Sequence, residues 1–357
     1  MKESASLAEN FNRAQSKLVI QTADLPLGTL ANMVEEGSID LSPGFQRRER
    51  WKQEDQSALI ESFLLNVPVP PIYLSEEDDG KYTAIDGKQR LKAIADFMSG
   101  RIALRGLESL VQAEGKYFND MPSEIYNALR LRPFLRVVTL LKQTNEHLKY
   151  EVFLRLNRGG ESLNQQEIRN VAFRGAMNDA IYECAKNTFL RKQLKITSEK
   201  SQSYRQMQDA EFVLRFLALS VDLAHFRGSL IRQMDTFMLK HENTDKKSAF
   251  NISNSFNIAI ARVEEIWGER AFQRPDGLGW RDQLLAGLYD AQMLASWRLE
   301  EKEFISVCSR RKHIVEKTRQ LFSDKEFDKS VRTGTNTPAR IRYRVTKTYE
   351  TLLSEVN

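Results

Sequence analysis

The segment Asp86-Gly87-Lys88-Gln89-Arg90 sets a carboxylate, a glycine, an amide and two cations side by side. Tyr82 to Ile85 reads as a strand and Leu91 to Met98 as a helix with Leu91, Ile94, Ala95 and Met98 inward and Gly100 after its last turn, so the segment between is a strand–turn–helix junction. The N–H groups of a helix's first turn lack partners within the helix and, with the helix dipole, favour an anion. Lys88 and Arg90 bring positive charge to the same end. Asp86 can hold a metal ion, cap the helix or orient Arg90. A plain capped helix with two exposed basic residues satisfies the same spacing.

Two further segments could serve a phosphate. Pro43-Gly44-Phe45-Gln46-Arg47-Arg48-Glu49-Arg50-Trp51 is a loop dense in arginine and glutamine, and guanidinium forks match phosphate oxygens. Trp51 can stack on a base or plug the core. Phe153-Leu154-Arg155-Leu156-Asn157-Arg158-Gly159-Gly160 ends a helix with two arginines three apart, and its paired glycines let backbone approach a ligand closely. Each segment alone also reads as a solvated loop or a glycine-terminated helix.

Wider composition bounds the chemistry. The 357 residues carry 53 basic and 48 acidic side chains, a net charge of +5 that permits a polyanionic partner without requiring one. Basic clusters at Arg310-Arg311-Lys312 and at Arg340, Arg342 and Arg344 are candidates for DNA contact, or a solvated helix face. The four histidines, His147, His225, His241 and His313, are scattered, without metal-ligand or HNH-like spacing. Cys184 and Cys308 form no metal motif and read as idle thiols. No apolar run approaches the roughly 20 residues of a membrane helix, and the polar N-terminus has no signal core, so a cytoplasmic location is expected.

The elements that must position these residues differ between the two halves. Leu18 to Gln21, Ile39 to Leu41, Tyr82 to Ile85 and Phe134 to Leu141 read as extended; Leu25 to Glu35, Gln53 to Leu65 and Glu146 to Leu156 read as helices. Val67 to Leu74 must be extended, since its prolines forbid helix. Short strands are expected near Ile102 and Tyr117, a helix from Pro122, and another opening at the capping box Asn164-Gln165-Gln166-Glu167. Past about Gly175 strand signals cease and long amphipathic patterns dominate, as in Ala210 to Ala224. The expectation is an α+β domain over residues 1–175 followed by an all-α domain over 176–357.

Taken together, Phe45-Gln46-Arg47, Pro68 to Leu74, Ile85 to Leu91, and Phe153 to Gly160 with Leu163 to Glu167 resemble the N-terminal domain of GmrSD-type restriction endonucleases. The resemblance covers residues 18–175 and implies a fold similar to ParB and sulfiredoxin. The family's usual motif is D-G-Q-Q-R, and Lys88 replaces its first glutamine. In ParB-like relatives the corresponding turn binds nucleotide phosphates. Their next box is only loosely echoed by Leu156-Asn157-Arg158 and lacks its glutamate. Relatives act in defence against phage, hydrolysing nucleoside triphosphates and sensing or cutting modified DNA.

The resemblance therefore implies a nucleotide-binding, NTP-hydrolysing domain that regulates a DNA-directed activity. Asp86, Gln89 and Arg90 are its candidate catalytic residues. Gln46, Arg47, Gly87, Lys88, Arg155, Asn157, Arg158, Gly159 and Gly160 are candidates for phosphate or nucleotide binding. Mg²⁺ is expected to balance the triphosphate, with Asp86 as its candidate ligand. DNA is the expected partner, alongside a separate nuclease or effector protein and a second copy of the chain. One alternative is a ParB-like nuclease using the same pocket, for which Asp86 and Glu61 are the nearby carboxylates. Another is a non-catalytic DNA- or partner-binding module.

Overall fold

The computed structural model describes residues 18–41, 51–132, 134–144, 146–156 and 164–356. The chain divides into two compact units, Met1–Ala172 and Phe173–Asn357.

The first unit is built on a mixed five-stranded sheet of β1 (Ile20–Pro26), β2 (Ile39–Asp40), β3 (Ile72–Glu76), β4 (Tyr82–Asp86) and β5 (Phe134–Leu140), in the order β1-β5-β3-β4-β2. β1 runs antiparallel to β5, and β3 antiparallel to β4. β3 pairs parallel with β5 through Ile72↔Val137, and β2 pairs parallel with β4 through Ile39↔Tyr82. Parallel pairing of β2 with β4 sends the chain out of both strands at the same edge of the sheet.

Helices α1 (Leu27–Glu35), α2 (Gln53–Leu64) and α3 (Lys88–Met98) pack with the sheet around one core that includes Leu27, Leu30, Ile60, Ile72, Leu74, Leu91, Ile94, Phe97, Leu135 and Val137. The spacing of Leu91, Ile94 and Phe97 puts all three on one face of α3, each at most 1% exposed. Burying each is worth roughly 1.5–3 kcal/mol, which fixes where the N-terminus of α3 must lie. Trp51 is partly buried and packs against this core.

The short strands expected near Ile102 and Tyr117 do not form. The N–H of Leu104 donates to Lys116 O (3.0 Å) and that of Gly115 to Leu104 O (2.8 Å), but no ladder extends from them. Carboxylates take the donors that a ladder would have used. Glu114 accepts from the N–H groups of Gly106 and Leu107, and Glu61 from those of Glu108, Ser109 and Leu110. Single-turn 3-10 segments at Val111–Ala113 and Phe118–Asp120 complete the loop. Beyond it come α4 (Ser123–Leu131), α5 (Glu146–Leu156) and α6 (Gln165–Ala172). The capping box forms as expected: Asn164 Oδ1 accepts from the N–H groups of Gln166 and Glu167, both at 2.9 Å, and Glu167 Oε2 accepts from that of Asn164 at 2.6 Å.

The second unit is helical, from α7 (Ala176–Cys184), α8 (Thr188–Gln193) and α9 (Gln202–Arg205) to the long α10 (Gln208–Asp222), α11 (Leu230–Lys240) and α12 (Lys246–Trp267). It closes with α13 (Ala286–Arg298), α14 (Glu301–Ser309), α15 (Arg311–Leu321), α16 (Lys325–Arg332) and α17 (Pro338–Leu353). One hairpin departs from the all-α expectation: β6 (Arg274–Asp276) pairs antiparallel with β7 (Gly279–Arg281) across Gly277-Leu278. Gly277 is the sequence signal for it: its φ of +57° at the first of the two turn residues suits a tight hairpin. Inside the unit lies an ionic cluster. Asp290 accepts from Arg215 Nε at 2.6 Å, from Arg215 Nη2 at 2.7 Å and from Arg344 Nη2. Asp290 and Arg344 are fully buried.

Candidate phosphate-binding site

The turn after β4 is shaped by two irregularities. Regular pairing would place Ile85 opposite Tyr73, but the register slips beside Tyr73 and Asp86 stands there instead. Such a bulge re-aims the side chains at a strand end. Ile85 is buried, and Asp86, at the end of β4, is partly exposed. Gly87 follows with φ +89° and ψ +13°, the left-handed region, and serves as the N-cap residue of α3. A Cβ at this position would lie 2.2 Å from Ile72 Cδ1. Both the φ value and the closeness of β3 require glycine here.

Because the cap is glycine, no side chain of the capping residue closes the N-terminus of α3. Lys88, Gln89 and Arg90 make up its first turn, the end where a helix favours an anion. Lys88 and Gln89 are both half-buried. Gln89 Oε1 accepts a long hydrogen bond (3.5 Å) from the N–H of Trp51, which ties the start of α2 to the turn.

Arg90 folds back over this junction. Its Nη2 donates to Asp86 Oδ2 at 2.6 Å, and its Nη1 donates to the carbonyl oxygens of Pro70 (2.5 Å) and Pro71 (3.1 Å). The Arg90 side chain is 13% exposed, that of Asp86 39%. Of the roles open to Asp86 from sequence, orienting Arg90 is the one observed, and the capping position belongs to Gly87. Residue type does not mark the acceptors on Pro70 and Pro71, which are backbone oxygens. The prolines suggested extended backbone but not that its carbonyls would hold a cation.

The other candidate segments are placed unequally. Gln46 and Arg47 lie outside the described residues, as do Asn157, Arg158, Gly159 and Gly160. Their flanks are visible: β2 and α2 bracket the first group, and α5, which packs near β4, precedes the second. Arg155 is exposed and pairs with Glu151 on its own helix at 3.4 Å. Glu61, the second carboxylate of the nuclease alternative, is buried and engaged by the N–H groups of Glu108, Ser109 and Leu110 at 2.7–3.2 Å. Those hydrogen bonds, that of Leu110 foremost, hold its pKa below the ordinary 4.5 against the opposing effect of burial. Glu61 therefore stabilises a loop. Among the described residues no three His, Cys, Asp or Glu side chains converge on a metal-sized site.

Residues 27–174 match the family model of the GmrSD restriction endonuclease, N-terminal domain. The first unit carries a GmrSD N-terminal domain. Within this domain the matched span runs from the start of α1 to just beyond α6, so it includes every candidate residue of the turn. No curated protein and no solved structure matches the chain.

The basic candidates for DNA contact lie beyond the GmrSD domain and separate into two kinds. Arg310, Arg311 and Lys312 are exposed; Arg311 lies 3.3 Å from Glu265, and Arg310 3.9 Å from Glu355. Arg340 donates to Thr333 O and Arg342 to Phe226 O, so both are tied to backbone. Arg344 corrects the sequence reading outright. It is 0% exposed and donates to Ser330 O, Thr335 O and Asp290, so it is a core cation and not a surface for DNA. No described helix is long and apolar enough to cross a membrane.

Proposed function

We propose that the first unit binds and hydrolyses a nucleoside triphosphate as part of a DNA-restriction, anti-phage defence system. The observation that carries the reading is the glycine-capped turn after β4, where the left-handed Gly87 sets the N-terminus of α3 beside Lys88 and a fixed Asp86–Arg90 pair. The match to the GmrSD N-terminal domain supports the restriction setting and DNA as the partner of the system.

In this reading phosphate oxygens meet the first turn of α3, where the helix dipole and Lys88 offset their charge. Phosphoryl transfer asks mainly for position and charge neutralisation, and a preset turn supplies both. Arg90 acts mainly by holding Asp86 and the entry to β3. Asp86 Oδ1 and the Gln89 amide are the groups that orient a water for attack on the terminal phosphorus. Gln46 and Arg47, which follow β2 in sequence, are further phosphate-binding candidates in this reading. Asn157, Arg158, Gly159 and Gly160, which follow α5 in sequence, are the others.

A single carboxylate at the turn does not make a protein cage for a metal. It does suit Mg²⁺, which keeps several waters and takes one or two carboxylates together with substrate phosphates. Asp86 is the residue that would hold it, and the ion would neutralise phosphate charge. The test is turnover of a panel of nucleoside triphosphates by the purified chain and by Lys88→Ala. Saturable hydrolysis that falls at least tenfold in the variant, with unchanged unfolding, is expected; equal background rates in both sink the hydrolase reading.

A further inference from the structure

The second unit contains a cavity of about 660 Å³ whose walls include Lys195, Glu211, Phe212, Arg215, Arg281 and Leu284. Its size falls in the range of small-molecule sites. Its charges decide what it can take. Lys195 is already neutralised, with Nζ 2.9 Å from Asp282 Oδ2 and 2.7 Å from Asp282 O. Arg215 is more than nine-tenths buried. Its hydrogen bonds leave from Nε and Nη2, toward Asp290 and Asn336, and its Nη1 has no acceptor among the described residues. Arg281, on the exposed rim of the same cavity, likewise has no side-chain acceptor among the described residues.

Behind the wall the imbalance deepens. Arg215 and Arg344 share the single carboxylate of Asp290. With Arg281 the group holds three cations, set against Asp290 and Glu211, which leaves one surplus positive charge. Asp290 and Glu211 offset Arg215 and Arg344, so the surplus is that of Arg281 on the exposed rim, where an anion can meet it. We propose that this cavity binds a small phosphate ester of nucleotide size, its phosphate on Arg215 Nη1 and the Arg281 guanidinium. Guanidinium forks are the side chains best matched to phosphate.

Two features separate this ligand from a bare anion. Glu211 lines the same cavity with no donor to its carboxylate among the described residues, so the ligand also presents hydroxyl or N–H donors. Leu194, Phe212 and Leu284 add apolar wall for a flat base. A nucleoside phosphate has all three parts. Every residue lining this cavity lies in the second unit.

The experiment is calorimetric titration of the full chain with AMP, GMP and inorganic phosphate. Arg281 is exposed, so Arg281→Glu can be made without disturbing the core. At least one mononucleotide is expected to bind more tightly than phosphate, to weaken by about tenfold or more in Arg281→Glu, and to weaken in Glu211→Gln. Binding of that mononucleotide is expected to survive Lys88→Ala, which places it outside the first unit. The proposal is overturned by no mononucleotide binding, by mononucleotide binding untouched by Arg281→Glu, by phosphate binding as tightly as either nucleotide, or by loss of the binding in Lys88→Ala alone.

Discussion

Arg90 Nη2 lies 2.6 Å from Asp86 Oδ2, while Nη1 of the same guanidinium reaches the carbonyl oxygens of Pro70 and Pro71. One side chain thus joins the end of β4, the first turn of α3 and the approach to β3. Its planar fork is what allows donation in these directions at once, which a lysine ammonium on a flexible stem does not reproduce.

Arg90→Ala is therefore expected to destabilise the first unit by about 1.5–3 kcal/mol, the range for hydrogen bonds to charged groups. Arg90→Lys should recover little of that loss. Urea unfolding midpoints of the two variants and the parent chain check this. A lysine variant as stable as the parent would mean that the charge, and not the fork, holds the junction.

Much of this junction was legible in sequence, and the reasons are local. A strand ending at Asp86, a glycine and an amphipathic helix are each written in adjacent residues. The capping box at Asn164 and Glu167 was legible for the same reason. The partners of Arg90 were not, because Pro70 and Pro71 offer only backbone oxygen, which residue type does not mark. The loop around Ile102 and Tyr117 reads as strands in sequence but does not form them, because Glu114 within the loop and Glu61 from α2 satisfy its N–H groups, and side-chain acceptors leave no periodic trace. Arg344 was misread for a related reason. It sits in a basic run, and only the fold shows that a distant Asp290 waits for it.

Gly87 makes a sharper prediction. Alanine there meets two obstacles, a φ of +89° and a contact of 2.2 Å between its Cβ and Ile72 Cδ1. Strain of this kind costs on the order of 1–3 kcal/mol. Ile72→Val deletes Cδ1 and should relieve the steric part while leaving the backbone part. In Gly87→Ala with Ile72→Val, the summed loss should be smaller than that of the two single variants added together. Strict additivity in thermal unfolding would show that the closeness to Ile72 is not what selects glycine.

Glu61 gives a dependence on pH. The N–H of Leu110, then those of Ser109 and Glu108, hold its pKa below the ordinary 4.5, with burial opposing. A carboxylate with a depressed folded-state pKa binds fewer protons folded than unfolded near that value. Its contribution is therefore fully present above 4.5 and is lost as pH falls through the lower, folded value. Glu61→Gln should unfold more readily at neutral pH and show a shallower loss of stability on acidification. Urea midpoints measured through and below pH 4.5 decide this; parallel curves for parent and variant would remove Glu61 from the acid limb.

Asp290 tests the ionic cluster of the second unit. Removing this carboxylate strands two guanidinium groups, one of them fully buried, and Asp290→Ala is expected to cost about 3–5 kcal/mol. Arg344→Met is a different perturbation. It forfeits hydrogen bonds to Ser330 O and Thr335 O but leaves Arg215 and Asp290 as a balanced bidentate pair, and it replaces a buried cation with an apolar chain. Its cost should be the smaller of the two. Combining them removes one of the cations that Asp290→Ala would strand, so the double variant should lose less than the two single losses summed. Guanidinium chloride is an ionic denaturant that screens charge, so urea is the better probe for the cycle. If Arg344→Met proves as damaging as Asp290→Ala, the packing and backbone bonds of Arg344, rather than the shared carboxylate, dominate this core.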